Sequence, residues 1–414
     1  MTLGRRFARF YVGSATSNLS DGIGRVVLPL LAASLTRNPL LVSGLTTFAF
    51  LPWLLFALPG GALVDRVDRR HAMAVANAVR CAASITLAVL VAAGVEHIVV
   101  LYVVAFVLGV AETIYDSAVR ALLPQLVSTD DLDRANGLLT VEETLGQTVL
   151  GAPAGSALFA IAVSLPLFLN GAGFAIAAIL VLTFRGSFRP VRTDEPTTIR
   201  RDMADGVRWL LGNRFFRELT AISALTCLLF NVGSAVLVLY SLDVLHLPAG
   251  DYGYLLLGMG AGGIIGGTLT PRLAARFDRG LLLTVGAAVC AATTVALAFV
   301  RNGYAAGVLL LVDEAAVMIW NVITISLRQS LIPRELFGRV QGSYRTVVWG
   351  SIPVGALIGG GLADGFGVPS AYLISGIGQA VMAVALGLFA LRHRAALRRG
   401  PADAPAVGSA QEVG

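Results

Sequence analysis

Long apolar stretches recur along the chain at nearly even intervals, separated by short stretches that are rich in arginine. About 20 apolar residues make one helical crossing of a bilayer, whereas a membrane-spanning strand needs about ten residues of alternating polarity. The stretches consist mainly of Ala, Leu, Val and Gly, which is typical of membrane helices. We therefore predict twelve transmembrane helices, near residues 10–34, 41–63, 73–94, 98–118, 137–162, 165–184, 217–241, 252–271, 281–300, 304–326, 340–363 and 369–391.

A long polar stretch divides these segments into six and six. Residues 185–216 are predicted to form a cytoplasmic linker between an N-terminal bundle (1–184) and a C-terminal bundle (217–394). The remainder, 395–414, is rich in Pro, Ala and Gly and is predicted to be a disordered cytoplasmic tail. The predicted fold class is thus an all-α membrane protein built from two six-helix bundles.

Composition and residue usage exclude several other classes of protein. Hydrophobic residues make up 56% of the chain, above the roughly 45–50% of soluble domains. The three cysteines lie apart in apolar segments, so neither a disulfide nor a metal site is predicted. The chain has no lysine, which rules out a Gly-x4-Gly-Lys phosphate-binding loop and an ATP-driven pump. No cofactor and no nucleic-acid partner are expected.

The arginines predict the orientation of the chain in the membrane. Arg25, Arg80 and Arg345 lie inside segments, and Arg37 and Arg301 lie in loops on one side. All other arginines fall in the tails or in loops on the opposite side, where the N-terminus lies. Because cytoplasmic loops carry an excess of basic residues, both termini are predicted to be cytoplasmic in a multi-pass protein of the cell membrane.

The two halves carry related sequences. VRALLPQ (119–125) recurs as LRQSLIPRE (327–335), and GALVDRVDRR (61–70) has a counterpart in GTLTPRLAAR (267–276). Internal repetition with six helices in each half is how many secondary transporters are built.

These motifs resemble the major facilitator superfamily. The signature of this superfamily in the first cytoplasmic hairpin is Gly-x-Leu-x-Asp-Arg-x-Gly-Arg-Arg. This chain matches it except that Asp68 replaces the second glycine. The stretches LPWLLFALPGGALVDRVDRR, FVLGVAETIYDSAVRALLPQLV and RANGLL further resemble the bacterial drug, macrolide and siderophore exporters, the branch that includes the enterobactin exporter. The residues that match the signature are Gly61, Leu63, Asp65, Arg66, Arg69 and Arg70.

The resemblance implies a gate and a helix-packing motif. In the family, the signature hairpin latches the inner gate when the carrier faces outward, with Arg69 reaching toward Asp116. The stretch GQTVLGAPAGSAL (146–158) is similar to the family's antiporter motif, although Ala152 separates the glycine from the proline. The implied gating residues are Asp65, Arg66, Arg69, Arg70, Asp116 and Arg120, and the implied packing residues are Gly146, Gly151, Pro153 and Gly155.

Ionisable residues inside the segments are candidates for proton coupling, because a charge at the bilayer centre costs about 2.5–3.5 kcal/mol on insertion scales. Asp21 lies near the midplane, about 16 Å into the first segment at 1.5 Å per residue. An alternative role for Asp21 is an intrahelical pair with Arg25, four residues on. Further candidates are Glu112, Asp313 and Glu314, whereas Arg80, Glu142, Glu143 and Arg345 have no partner that sequence can assign.

Substrate contact is predicted for polar and aromatic residues near mid-depth. Asn18 and Asp21 in the first segment occupy places similar to those of Phe230 and Asn231 in the seventh, and aromatic faces suit bulky, partly apolar or cationic ligands. The predicted residues are Asn18, Arg25, Trp53, Phe230, Asn231 and Trp349.

The predicted function is secondary active export of a drug, natural product or siderophore-like compound across the cytoplasmic membrane, by proton-coupled alternating access. An importer of nutrients is the alternative. A membrane-embedded enzyme or sensor is a third, disfavoured because no Ser/His/Asp cluster can be assembled from the sequence. A monomer is expected.

Overall fold

The computed structural model describes residues 4–64, 67–128, 131–183, 188, 199–333 and 336–398, and every regular element in these ranges is helical. The first half contains α1 (Gly4–Leu35), α2 (Pro39–Val64), α3 (Arg69–Ala92), α4 (Ile98–Leu126), α5 (Leu132–Thr144), a π-helix (Leu145–Gly151), α6 (Ala152–Ile161) and α7 (Leu165–Thr183).

The second half begins with a helix that the sequence analysis did not predict, α8 (Ile199–Gly212), inside the stretch assigned to the linker. It continues with α9 (Arg214–Ser234), α10 (Leu237–Leu239), a π-helix (Tyr240–Val244), a 3-10 turn (Ala249–Asp251), α11 (Tyr252–Arg276), α12 (Arg279–Leu297), α13 (Gly303–Leu331), α14 (Phe337–Phe366), α15 (Val368–Arg392) and α16 (Arg394–Arg398). The last of these helices lies at the start of the predicted disordered tail, and residues 399–414 are outside the described ranges.

Eleven helical stretches within the described ranges are long and apolar enough to cross a membrane. They match eleven of the twelve predicted segments, with α5, the π-helix and α6 together forming the fifth. The first helix, α1, is long enough but falls short in composition, because polar residues such as Ser14, Asn18, Asp21 and Arg25 occupy its middle.

Asp68, which departs from the family signature, has a structural role at the start of α3. Its carboxylate accepts hydrogen bonds from the backbone amides of Arg70 at 3.0 Å and His71 at 3.4 Å, which caps the helix. The other carboxylate oxygen accepts from the amide of Phe188 at 3.1 Å. In the second half, Asp278 caps α12 in the same way. An aspartate therefore replaces glycine because it satisfies amides that a helix start leaves free.

Small residues allow α11 to pack closely against α13. A Cβ atom at Gly262 or Gly266 would overlap the carbonyl oxygens of Leu311 and Ala315, respectively. One turn earlier, Gly258 faces Gly307. Small residues at every fourth position let membrane helices approach in this way.

The predicted packing motif lies where the fifth segment meets α1. A Cβ at Gly146 would stand 3.1 Å from the amide nitrogen of Leu19, and one at Gly155 would stand 3.0 Å from the carbonyl oxygen of Ile23. Gly151 faces Gly22 of α1. On the opposite side, Pro153 lies against Gly253 of α11, so this segment also joins the two halves.

The two halves share one hydrophobic core at one end of the molecule and have separate cores at the other. The shared core combines residues such as Leu30 of α1 with Val236 and Leu297 of the second half. We call this the packed end; it carries the loops near residues 36–38, 93–97, 162–164 and 298–302. At the opposite, split end, one core contains only first-half residues and the other only second-half residues.

Polar contacts reinforce the packed end. Arg37 Nη1 lies 2.9 Å from Asp243 Oδ1, and Asn38 Nδ2 donates to Asp364 Oδ1 at 2.9 Å. Farther along α2, the Thr47 hydroxyl donates to the carbonyl of Pro353 on α14 at 3.3 Å. All three contacts join the first half to the second, and the two made by Asn38 and Thr47 place α2 against α14.

The close contact of α11 with α13 gives a stability prediction. We expect Gly262→Ala to lower the thermal unfolding midpoint of the detergent-purified protein by several degrees, since its added methyl has no room beside Leu311. Gly361→Ala is the matched control, because a Cβ at Gly361 meets nothing within 4 Å. Equal midpoints for the two variants would contradict the packing argument.

Candidate functional site

An ion pair in the interior of the first half joins α1 to α3. Asp21 Oδ2 lies 3.2 Å from Arg80 Nη1, and the side chains are 15% and 1% exposed. The same guanidinium nitrogen donates to the hydroxyl of Ser17 at 3.3 Å. Burying two charges is costly, and mutual attraction with added hydrogen bonds offsets that cost.

Aromatic rings enclose Arg80 on two sides. Its guanidinium carbon lies 5.0 Å from the ring centre of Tyr115 on α4 and 5.2 Å from that of Phe174 on α7. Both distances allow cation–π attraction, which gains strength away from water. Asp21 and the two rings therefore hold a cation among four helices.

A second ion pair opens toward solvent. Arg25 Nη2 on α1 lies 3.3 Å from Glu112 Oε1 on α4, with side-chain exposures of 55% and 28%. This corrects the alternative in which Asp21 pairs with Arg25 along the helix: each has a partner on another helix. Arg25 is thus more than half exposed although it lies near the middle of α1.

Glu142 and Asn18 form a polar network beside the π-helix. Glu142 is buried, and its Oε1 accepts from the Ser14 hydroxyl at 2.6 Å and from Asn18 Nδ2 at 3.0 Å. Asn18 Oδ1 in turn accepts from Gln147 at 2.7 Å. Sequence reasoning gave Glu142 no partner. Its partners could have been found from Ser14, Asn18 and Asp21, which follow one another at helical spacing and form a polar stripe on α1.

The predicted residues of the second half have fewer charged partners than those of the first. Asp313 is buried on α13 and accepts a hydrogen bond from Thr293 of α12 at 2.8 Å. The Asn231 amide donates to the carbonyl of Cys227 on its own helix at 2.8 Å. Glu314 is half-buried and lies against Gly263 of α11. Phe230 lines a small cavity together with Asp313.

Trp53 and Trp349 meet where the two halves face each other. Their ring centres are 4.7 Å apart in an edge-to-face arrangement. The guanidinium of Arg345 lies 4.2 Å from the Trp349 ring centre and 5.2 Å from that of Trp53. This cluster supplies Arg345 with the neighbours that sequence could not assign.

Of the predicted gating residues, Asp65 and Arg66 lie outside the described ranges. Arg69 Nη1 donates to the carbonyl of Ala121 near the end of α4 at 2.9 Å, which joins the signature loop to α4. Asp116 and Arg120 pair along α4 at 3.9 Å, and both are accessible to solvent. The backbone amide of Arg70 serves the cap at Asp68.

The helical layout is that of a known class of membrane transporters. The fold matches a variant of the nucleoside transporter NupG with a TM-score of 0.77 and 11% identity, over 93% of this chain and all of that one. It also matches a bacterial homologue of the iron transporter ferroportin in an inward-facing state, with a TM-score of 0.73 and 17% identity, over 94% and 99% of the chains. These likenesses show the fold.

The family follows from sequence. The family described as transmembrane secretion effector matches residues 4–409, and the chain belongs to this family of the major facilitator superfamily. The multidrug efflux pump Tap of Mycobacterium tuberculosis is 26% identical over 407 residues, covering 94% of this chain and 95% of Tap. Macrolide efflux protein A of Streptococcus pyogenes is 22% identical over 377 residues, covering 90% and 92%.

These findings confirm the predicted resemblance to drug and macrolide exporters. The protein is a multi-pass membrane protein of a transporter family, and membership implies a small-molecule substrate.

The Asp21–Arg80 pair gives a second stability prediction. Breaking a buried pair by removing one partner costs about 3–5 kcal/mol, because the other charge remains buried. We therefore expect Asp21→Asn and Arg80→Gln each to lower the thermal unfolding midpoint, and the double variant to lose less than the sum of the two.

The exposed pair of Arg37 and Asp243 is the matched control. Side chains there are 57% and 41% exposed, so Arg37→Gln should change the midpoint little. Additive losses in the Asp21/Arg80 cycle would mean that the two side chains do not stabilise each other.

Proposed function

We propose that the protein exports a small molecule, a drug, natural product or siderophore-like compound, across the cytoplasmic membrane in exchange for protons. In this proposal α1 is a twelfth transmembrane helix, both termini are cytoplasmic and the transporter is a monomer. Support for export comes from the relatives, whose names are those of a multidrug efflux pump and a macrolide efflux protein. Support for the orientation comes from the distribution of arginines.

The arrangement of the two halves supports alternating access. With cytoplasmic termini, the packed end faces outward and the split end faces the cytoplasm, so the conformation is inward-facing. The exported compound would enter a space between the halves from the cytoplasm or the inner leaflet. Arg25, Asn18, Trp53 and Trp349 are proposed to contact it there, with Phe230 and Asn231 on the second half. Rocking of the two halves about the contact between α2 and α14 would then expose it outside.

The observation that carries proton coupling is the buried pair of Asp21 and Arg80. A proton that reaches Asp21 neutralises the carboxylate and leaves Arg80 as a buried cation with Ser17 and two aromatic rings as neighbours. That state is costly, so neutralisation disfavours the arrangement of α1, α3, α4 and α7 seen here. We infer that protonation of Asp21 drives the change of conformation. Glu112, Asp313 and Glu314 are the further proposed proton-accepting residues.

A gate is proposed at the split end. Asp65 and Arg66 with Arg69 and Arg70 are proposed to hold the two halves together on the cytoplasmic side in the outward-facing state, and Asp116 and Arg120 of α4 are proposed to take part. The contact of Arg69 with the end of α4 supports this role, since it ties the signature loop to the helix that carries Asp116.

Transport by purified protein in liposomes tests the proposal. A radiolabelled macrolide should accumulate in vesicles with an acidic interior, through molecules whose cytoplasmic face points outward. Each pH unit across the membrane stores about 1.36 kcal/mol, so one proton exchanged per molecule supports about tenfold accumulation per unit. We expect Asp21→Asn to equilibrate the compound without accumulating it.

Asp251→Asn serves as the control, because it neutralises a carboxylate at the packed end, away from the space between the halves. It should accumulate compound as the wild type does. Wild-type transport that does not depend on the pH gradient would refute proton coupling. Accumulation by the Asp21→Asn variant would refute the role of Asp21 but not proton coupling itself.

A further inference from the structure

A small cavity is lined entirely by residues of the second half. It measures about 20 Å³, which is room for one particle the size of a water molecule. Helices α9, α11, α12, α13 and α15 all contribute to its wall. Its polar lining consists of Ser234, Thr294, Asp313 and Tyr372, and the remaining lining residues are apolar or glycine. The size excludes a drug-like substrate.

Asp313 brings a carboxylate to this cavity without a cationic partner. It is only 4% exposed, and it accepts a hydrogen bond from the hydroxyl of Thr293 at 2.8 Å, with Cys290 and Thr294 as further neutral neighbours. No basic side chain of the described part of the chain forms an ion pair with it. The contrast with Asp21 is direct, since Asp21 is paired with Arg80. A buried carboxylate requires a compensating positive charge or a proton.

A break in the first helix of the second half adds negative potential at the same place. Helix α9 ends at Ser234, and α10 begins at Leu237 after two residues that form a turn. Phe230, Gly233 and Ser234, all in the last two turns of α9, line the cavity. The C-terminal end of a helix carries partial negative charge, and the carbonyls of Asn231 and Gly233, which each accept one hydrogen bond from the following turn, keep a second lone pair. Broken helices in transporters bind cations through such carbonyls.

A hydroxyl on the opposite wall lacks a partner. Tyr372 on α15 is 3% exposed, and its hydroxyl oxygen has no hydrogen-bond partner within the described residues. Its ring approaches α9 closely, because a Cβ at Gly233 would stand 3.1 Å from the ring. A buried hydroxyl without a partner is rare and costly. A cation inside the cavity would bind the oxygen atom of this hydroxyl.

We propose that this cavity binds a monovalent cation of the size of sodium. Its ligands are the Asp313 carboxylate, the hydroxyls of Tyr372, Thr294 and Ser234, and carbonyl oxygens at the end of α9. Hard cations prefer oxygen ligands of these types. The bound ion neutralises Asp313 and ties α9, α13 and α15 together. A sodium ion and a proton would compete for Asp313, and sodium binding is measured at fixed pH without transport.

Thermal unfolding of the detergent-purified protein in sodium, potassium and choline chloride at equal ionic strength tests this site. Sodium should raise the unfolding midpoint in a saturable manner, and choline should not. Asp313→Asn should abolish the sodium-dependent rise. Tyr372→Phe should retain it but raise the sodium concentration at half-effect by about tenfold, which corresponds to ~1.4 kcal/mol for one lost polar contact.

Tyr240→Phe is the matched control. Its ring lies 4.7 Å from that of Tyr372, but its hydroxyl donates to the carbonyl of Leu297 at 2.8 Å and does not face the cavity. The variant should keep the wild-type sodium dependence even if its midpoint is lower. Equal stabilisation by all three salts would overturn the proposal. So would an undiminished sodium effect in Asp313→Asn, or stabilisation that depends on pH alone.

Discussion

The ion pair of Asp21 and Arg80 is the interaction on which the first half of this transporter depends. It lies where α1, α3, α4 and α7 meet, and those helices supply the two charges and the two rings around them. In water such a pair would contribute little to stability, but inside the bundle each charge is strongly destabilising without the other. The packing of these four helices is therefore linked to the charge on one carboxylate. This linkage is what a proton-driven carrier needs.

The two halves use their polar residues differently. In the first half, α1 carries a polar stripe that ends in Arg25, and each member finds a partner on another helix: Arg80, Glu112 or Glu142. In the second half, the buried acid Asp313 has a hydroxyl as its partner. Glycines bring the backbones together in both halves, at Gly151 against α1 and at Gly262 against α13.

Much of the fold could be predicted from the sequence because twenty apolar residues have few alternatives to a membrane helix. The depth of Asp21 followed from helical rise alone. Its partner did not, because Arg80 lies 59 residues away and the pairing depends on how α3 is rotated against α1. The cap formed by Asp68 was missed because the family signature has glycine there. Helix α8 was missed because its charged residues made residues 185–216 look like a polar linker.

We infer that the charge on Asp21 selects the conformation. Spin-label distances measured by double electron–electron resonance test it most directly, in a variant without its native cysteines. One label pair joins exposed positions Val95 and Tyr304 at the packed end, and another joins Val75 and Leu281 at the split end. If the charge on Asp21 selects the conformation, Asp21→Asn lengthens the first distance and shortens the second. Unchanged distributions at both ends would contradict it.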